Sequence, residues 1–139
     1  WTMLGHQVEA YGFDNSKWIV EKSPLLSSNL KGRIFQHNVL EPKEEWVEKY
    51  ELVITYDLLE HLEENEVRIA LTNIFDWSNK YALFSICFEN DPNYALDPTH
   101  KVCKPKEWWE EQIKLVGFEI MPTPAYFPFG HQILLGRKK

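Results

Sequence analysis

The apolar and polar positions of this chain follow two periods in turn. Residues 7–13 (Gln-Val-Glu-Ala-Tyr-Gly-Phe) alternate apolar with polar positions and predict a strand. Residues 33–37, 51–55 and 81–88 predict three more. The last of these, Tyr-Ala-Leu-Phe-Ser-Ile-Cys-Phe, is nearly all apolar, as a strand covered on both faces requires. Residues 118–121 and 132–135 predict two final strands, joined by a proline-rich link over residues 122–128. Elsewhere the period lengthens. Within residues 63–78, Val67, Ala70, Leu71, Ile74 and Phe75 recur at spacings of three and four and make one helical face. Glu63, Glu64 and Glu66 stand in its first turn, where the helix dipole favours acids. Another helix begins at Lys17 after the capping group Asp14-Asn15-Ser16, and Pro24 is expected to end or bend it. Residues 1–5 look like a helix end capped by Gly5, and residues 41–48 like a short helix or turn. Residues 89–103 form a loop long enough to be functional. Pro105 then opens a helix that stops at Gly117. The order is alternating α/β with a two-strand finish.

One stretch organises the rest. In residues 50–62, Leu52-Val53-Ile54 is a β-branched run, and Tyr56-Asp57-Leu58-Leu59-Glu60-His61-Leu62 sets polar groups just past its carboxyl end. Open α/β sheets bind ligands in the crevice outside strand carboxyl ends.

Composition narrows the class. The chain has 139 residues, 44% of them hydrophobic, enough for a single domain over 1–139. No apolar run reaches the roughly 18 residues of a spanning helix. No secretory signal is evident, so a cytoplasmic location without membrane contact is expected. The net charge of -6 argues against a nucleic-acid surface. The closing Gly-Arg-Lys-Lys reads as a solvated tail. Cys87 and Cys103 form no CxxC pair, and the five histidines match no zinc motif, so no metal is expected. The six tryptophans suit a core, a pocket wall or a homodimer interface. The first residue is Trp1 rather than Met, and the natural protein is expected to extend upstream.

The segment 50–62 resembles the one after the fourth strand of class I S-adenosylmethionine (SAM)-dependent methyltransferases. There an acidic residue, a hydrophobic pair and Glu-His often follow the strand. Gly12-Phe13-Asp14-Asn15-Ser16 is similar to the family's motif after strand two. His37-Asn38-Val39 stands where its post-strand-three motif lies. Asp97-Pro-Thr-His100 with Lys104-Pro-Lys-Glu-Trp-Trp109 resembles a small-molecule and glycan-type subgroup. The resemblance implies a Rossmann-like sheet ordered 3-2-1-4-5-7-6 with strand seven antiparallel. This chain would supply strands two to seven. The first strand and its glycine-rich loop are absent from the 139 residues.

The resemblance also implies roles, each beside a plainer one. Asp14 would hold the ribose hydroxyls of SAM, or only cap a helix, with Asn15 beside the nucleoside. Asn38 would meet the adenine edge, or only cap a turn, and Val39 the adenine face. Tyr56 and Asp57 would line the methionine end, or Asp57 would cap the next turn. His61, after Glu60, is a candidate base toward the acceptor, or only orients a loop. His100 would bind substrate or act as base, or sit in an exposed turn. One of Trp108 and Trp109 faces the core and the other could wall a pocket. The implied activity is SAM-dependent methyl transfer to a small-molecule or sugar-like acceptor. The alternatives are a nicotinamide-binding domain, or a truncated methyltransferase-like domain serving as an assembly module.

Overall fold

The computed structural model describes residues 8–26, 31–92, 94–123 and 132–138. The expectations for residues 1–5 and most of the proline-rich link lie outside them. The chain divides into two compact units, Trp1–Glu41 and Pro42–Lys139.

The first unit holds a strand β1 (Gly12–Asp14), a helix α1 (Lys17–Leu26) and a strand β2 (Ile34–Gln36). The two strands pair in parallel, with Phe13 opposite Phe35 and Asp14 opposite Gln36. Two expectations are corrected here. The strand predicted over residues 7–13 begins only at Gly12, because β-structure extends only as far as its ladder. Pro24 lies inside α1 rather than ending it, within its last turn, where the missing N–H removes one helical hydrogen bond. The Ser16 hydroxyl, not Asp14, takes the N–H of Ile19 at the start of α1 (3.4 Å).

The second unit is a four-stranded sheet. Its strands are β3 (Tyr50–Tyr56), β4 (Ser78–Ile86), β5 (Phe118–Met121) and β6 (Gln132–Lys138), in the order β3-β4-β6-β5. β3 and β4 are parallel, and β6 is antiparallel to both of its neighbours. This is the 4-5-7-6 half of the expected sheet, and β1-β2 is its two-three pair.

Two helices complete the unit. α2 (Glu64–Trp77) lies against β4, and α3 (Lys106–Leu115) against β5. The apolar face predicted for α2 is buried at Val67, Ala70, Leu71 and Ile74, with Trp77 beyond them. Its N-terminus is fixed by Glu66, whose carboxylate accepts the Glu63 N–H at 2.9 Å. From α3, Trp109 and Ile113 are buried, while Trp108 is half-buried under Lys104. α3 ends on Gly117, whose φ of +116° only glycine adopts readily. The sheet face under the helices is aromatic. Phe118 meets Phe75 edge-on at 5.0 Å and Phe84 at 5.8 Å. A side chain at Gly136 would come within 3.0 Å of the Phe118 ring, so β6 carries glycine at that position.

The expected solvated tail is a third correction. Gly136, Arg137 and Lys138 belong to β6, with Arg137 paired to Glu119 at 2.7 Å. Lys138 reaches back over Phe75 to the end of α2.

Candidate active site

Two groups of polar side chains stand at strand carboxyl ends, one in each unit. In the first unit, Asn15 follows β1 and Asn38 follows β2. With Gln36, His37 and Glu41 they line a cleft of about 410 Å³. That is within the range of small-ligand pockets. Local turn chemistry shapes it. Asp14 Oδ1 accepts the Ser16 N–H at 2.7 Å, and Asn38 Oδ1 accepts the Leu40 N–H at 3.0 Å. Both side chains therefore brace local turns, which is the plainer role given for Asn38, while Asp14 holds the Ser16 N–H and not the first turn of α1. The Gln36 amide donates to the Asn15 carbonyl at 3.1 Å and ties the two strand ends together. His37 Nε2 contacts the Glu41 carbonyl at 3.0 Å. Asp14 and Val39 do not line this cleft, and Val39 is buried. The sequence reading missed Gln36 and Glu41, and gave His37 a place in the post-strand-three motif but no role. Their only signal was position, on either side of Asn38 just past a strand.

In the second unit the segment after β3 turns sharply. Asp57 adopts φ +45°, a left-handed conformation that Asp tolerates better than most residues. It is held from β4: its N–H donates to the Ser85 carbonyl at 3.2 Å, and its Oδ1 accepts the Ser85 hydroxyl at 2.9 Å. Asp57 is thus locked to the next strand. Tyr56 beside it is exposed, as are Leu52 and Ile54 on the same face of β3.

A short 3-10 turn, Leu59–His61, then sends Glu60 inward. Glu60 is fully buried. Its Oε1 accepts the Cys87 N–H at 2.8 Å, and its backbone carbonyl takes the N–H groups of Lys101 and Val102. Its Oε2 has no hydrogen-bond partner among the described residues. Burial pushes the Glu60 carboxyl above the usual carboxylate range.

The loop over residues 89–103 brings His100 to His61, with ring centroids 4.7 Å apart. His100 is not in an exposed turn, since only 7% of its side chain is accessible. Each ring is oriented through Nδ1. His100 Nδ1 lies 3.1 Å from the Tyr94 carbonyl, which can only accept, so this nitrogen carries the hydrogen. His61 Nδ1 lies 2.9 Å from the Thr99 hydroxyl. That hydroxyl donates to Asp97 Oδ1 at 2.6 Å, so its oxygen accepts from the ring. The Thr99 hydroxyl, then the Thr99 N–H, hold Asp97 below the usual carboxylate range, which keeps it an acceptor. With the hydrogen on Nδ1, Nε2 is the nitrogen each ring leaves for a further partner, and that of His100 lies 4.0 Å from Asp97 Oδ2.

Cys87 follows this site on β4's continuation. It is buried, and its thiol is pushed up to about 11, chiefly by burial. Cys103 is exposed. Iodoacetamide at pH 8 is expected to label Cys103 at least tenfold faster than Cys87, because only the thiolate attacks. Peptide mass spectrometry after timed quenching checks this, and equal rates would contradict the burial of Cys87.

Strand order, helix placement and the position of both polar groups define the fold as that of the class I SAM-dependent methyltransferases. Among solved structures, magnesium protoporphyrin IX methyltransferase (ChlM) from Synechocystis PCC 6803 with bound SAM is similar at 15% identity and a TM-score of 0.68. The match covers 93% of this chain and 59% of that one, so this chain spans about six tenths of that enzyme's length. A SAM-dependent methyltransferase from Archaeoglobus fulgidus is similar at 15% identity over 94% of this chain and 76% of its own, with a TM-score of 0.67. A pericyclic reaction enzyme is similar at 12% identity over 98% of this chain and 38% of its own, with a TM-score of 0.72. Likeness at these identities is one of fold, and fold does not fix the reaction. No protein-family model matches the chain, and no curated protein does. Among the described residues, no helix is long and apolar enough to cross a membrane.

Proposed function

We propose that this chain belongs to a SAM-dependent methyltransferase acting on a small-molecule or sugar-like acceptor, as one cytoplasmic domain. One observation carries the reading. Polar side chains collect at the carboxyl ends of β1, β2 and β3, the place where this fold binds ligands. Asp14, Asn15 and Asn38 suit the nucleoside: short acceptors and amides held in fixed turns, beside a cleft of fitting volume. Val39 is assigned to the adenine face by its place next to Asn38 in the chain. Tyr56 and Asp57 serve the methionine end. His61 and His100 supply basic nitrogens toward the acceptor.

When bound, SAM supplies an electrophilic methyl group on a sulfonium. The chain's own task is alignment and the exclusion of water. A homodimer would cover the exposed Leu52, Ile54 and Tyr56 of β3. That same apolar face favours the second reading, a methyltransferase-like assembly module without catalysis.

Calorimetric titration of SAM and its demethylated product into the folded protein tests the proposal, and both are expected to bind. Asp14→Ala should weaken binding about tenfold or more, the worth of charge-assisted hydrogen bonds to two hydroxyls. If the folded protein binds neither, the cofactor assignment fails and the module reading replaces it.

A further inference from the structure

We infer that Glu60, His61 and His100 form a binding site for a divalent transition-metal ion. No ligand spacing announces it, because the fold rather than the sequence brings the three together. One ligand atom from each lies within 4.8 Å of the others. Their other hydrogen bonds leave each residue a donor atom that a metal can use. His100 gives its Nδ1 hydrogen to the Tyr94 carbonyl, and His61 gives its own to Thr99, so in this tautomer Nε2 of each is left to bind a metal, with Asp97 Oδ2 4.0 Å from that of His100. Glu60 spends Oε1 on the Cys87 N–H, and its Oε2 is buried with no partner among the described residues. A buried carboxylate oxygen without a donor costs free energy. Two neighbouring lone pairs supply no hydrogen to relieve it. A cation answers all three groups at once.

The outer contacts agree. Imidazole ligands usually donate their second N–H to a carbonyl or a carboxylate-linked partner, which fixes the tautomer and the ring. Here those partners are the Tyr94 carbonyl and the Thr99–Asp97 pair. Two nitrogens and one oxygen select manganese, iron, cobalt or zinc over magnesium or calcium, which prefer all-oxygen shells. Three protein ligands also leave coordination positions open, as catalytic sites do. An acceptor oxygen fits there. That last step rests on the methyl-transfer reading, whereas binding of the ion does not. The histidines would then act on the acceptor through the ion.

The probe is Co²⁺, titrated without SAM into the chain after chelator treatment, with the visible d–d absorption as readout. One equivalent is expected, displaced by Zn²⁺. His61→Ala and His100→Ala should each weaken binding at least tenfold. Thr99→Val removes only an outer partner and should weaken it by about 10-fold to 100-fold. Circular dichroism checks each variant's fold. Glu60→Gln and Thr99→Val serve if a histidine variant does not fold. Absence of a stoichiometric band, or equal affinity in folded wild type and variants, overturns the site. Loss of SAM binding with the cobalt band intact would instead overturn the methyltransferase reading.

Discussion

Phe84→Ala is expected to lower the free energy of unfolding by about 3–5 kcal/mol, the usual range for a core aromatic cut to alanine. Phe84 sits mid-strand in β4, fully buried, opposite Thr55 of β3 and Leu134 of β6. Its ring stands edge-on to Phe118, which in turn stands edge-on to Phe75 of α2. The transfer of a phenyl group from core to water accounts for about 1.5–3 kcal/mol. The remainder is the cavity. β4 is hydrogen-bonded on both sides, so the backbone around the hole cannot move in to fill it. Leu96→Ala is the comparison. Leu96 is 77% exposed, and its truncation should change stability by no more than about 0.5 kcal/mol. Urea unfolding of both variants decides the point. A loss under about 1 kcal/mol for Phe84→Ala would mean that this sheet is not the core.

The same contrast explains which parts of the fold were legible in the sequence. Val67, Ala70, Leu71 and Ile74 mark α2 because burial follows the helical period, and all four are buried. β4 was legible as a central strand for a like reason, since residues 82–88 are buried without alternation. Boundaries were less so. Residues 8–11 alternate correctly yet lie outside β1, since hydropathy does not record where a pairing partner stops. In the site, Glu60-His61 stood out as adjacent residues past a strand. The partners of His61 did not. Thr99 is 38 positions away in a loop with no period to read. The burial of Glu60 was also hidden, because glutamate is among the residues least often buried. The sequence offers the ingredients of this site, but only the loop's path brings His100 beside His61.

Lys138 is where reading charge as exposure misled most, and its replacement should show why. Lys138→Met is expected to cost about 2–3 kcal/mol. The side chain is only 14% exposed. Its Nζ donates to the carbonyls of Phe75 (3.2 Å) and Ser78 (3.1 Å), and it lies 4.4 Å from the Phe75 ring centroid. Phe75 O is among the last carbonyls of α2, which lack helical partners and carry the negative end of the dipole. Hydrogen bonds from a charged donor contribute about 1.5–3 kcal/mol. Glu48 also touches Nζ at 3.3 Å, but its carboxylate side chain is 67% exposed. Exposed ion pairs contribute about 0–1 kcal/mol, so the carbonyls rather than the carboxylate hold this lysine. Methionine keeps the stem and its packing while removing the charge. Glu48→Gln separates the two effects and should cost no more than about 0.5 kcal/mol. Thermal unfolding of both variants in low and high salt checks the assignment. If Glu48→Gln costs as much as Lys138→Met, or if salt erases the cost of Lys138→Met, the surface pair is what matters. If the lysine variant alone is weakened and salt leaves that loss in place, the end of β6 is a structural clamp on α2.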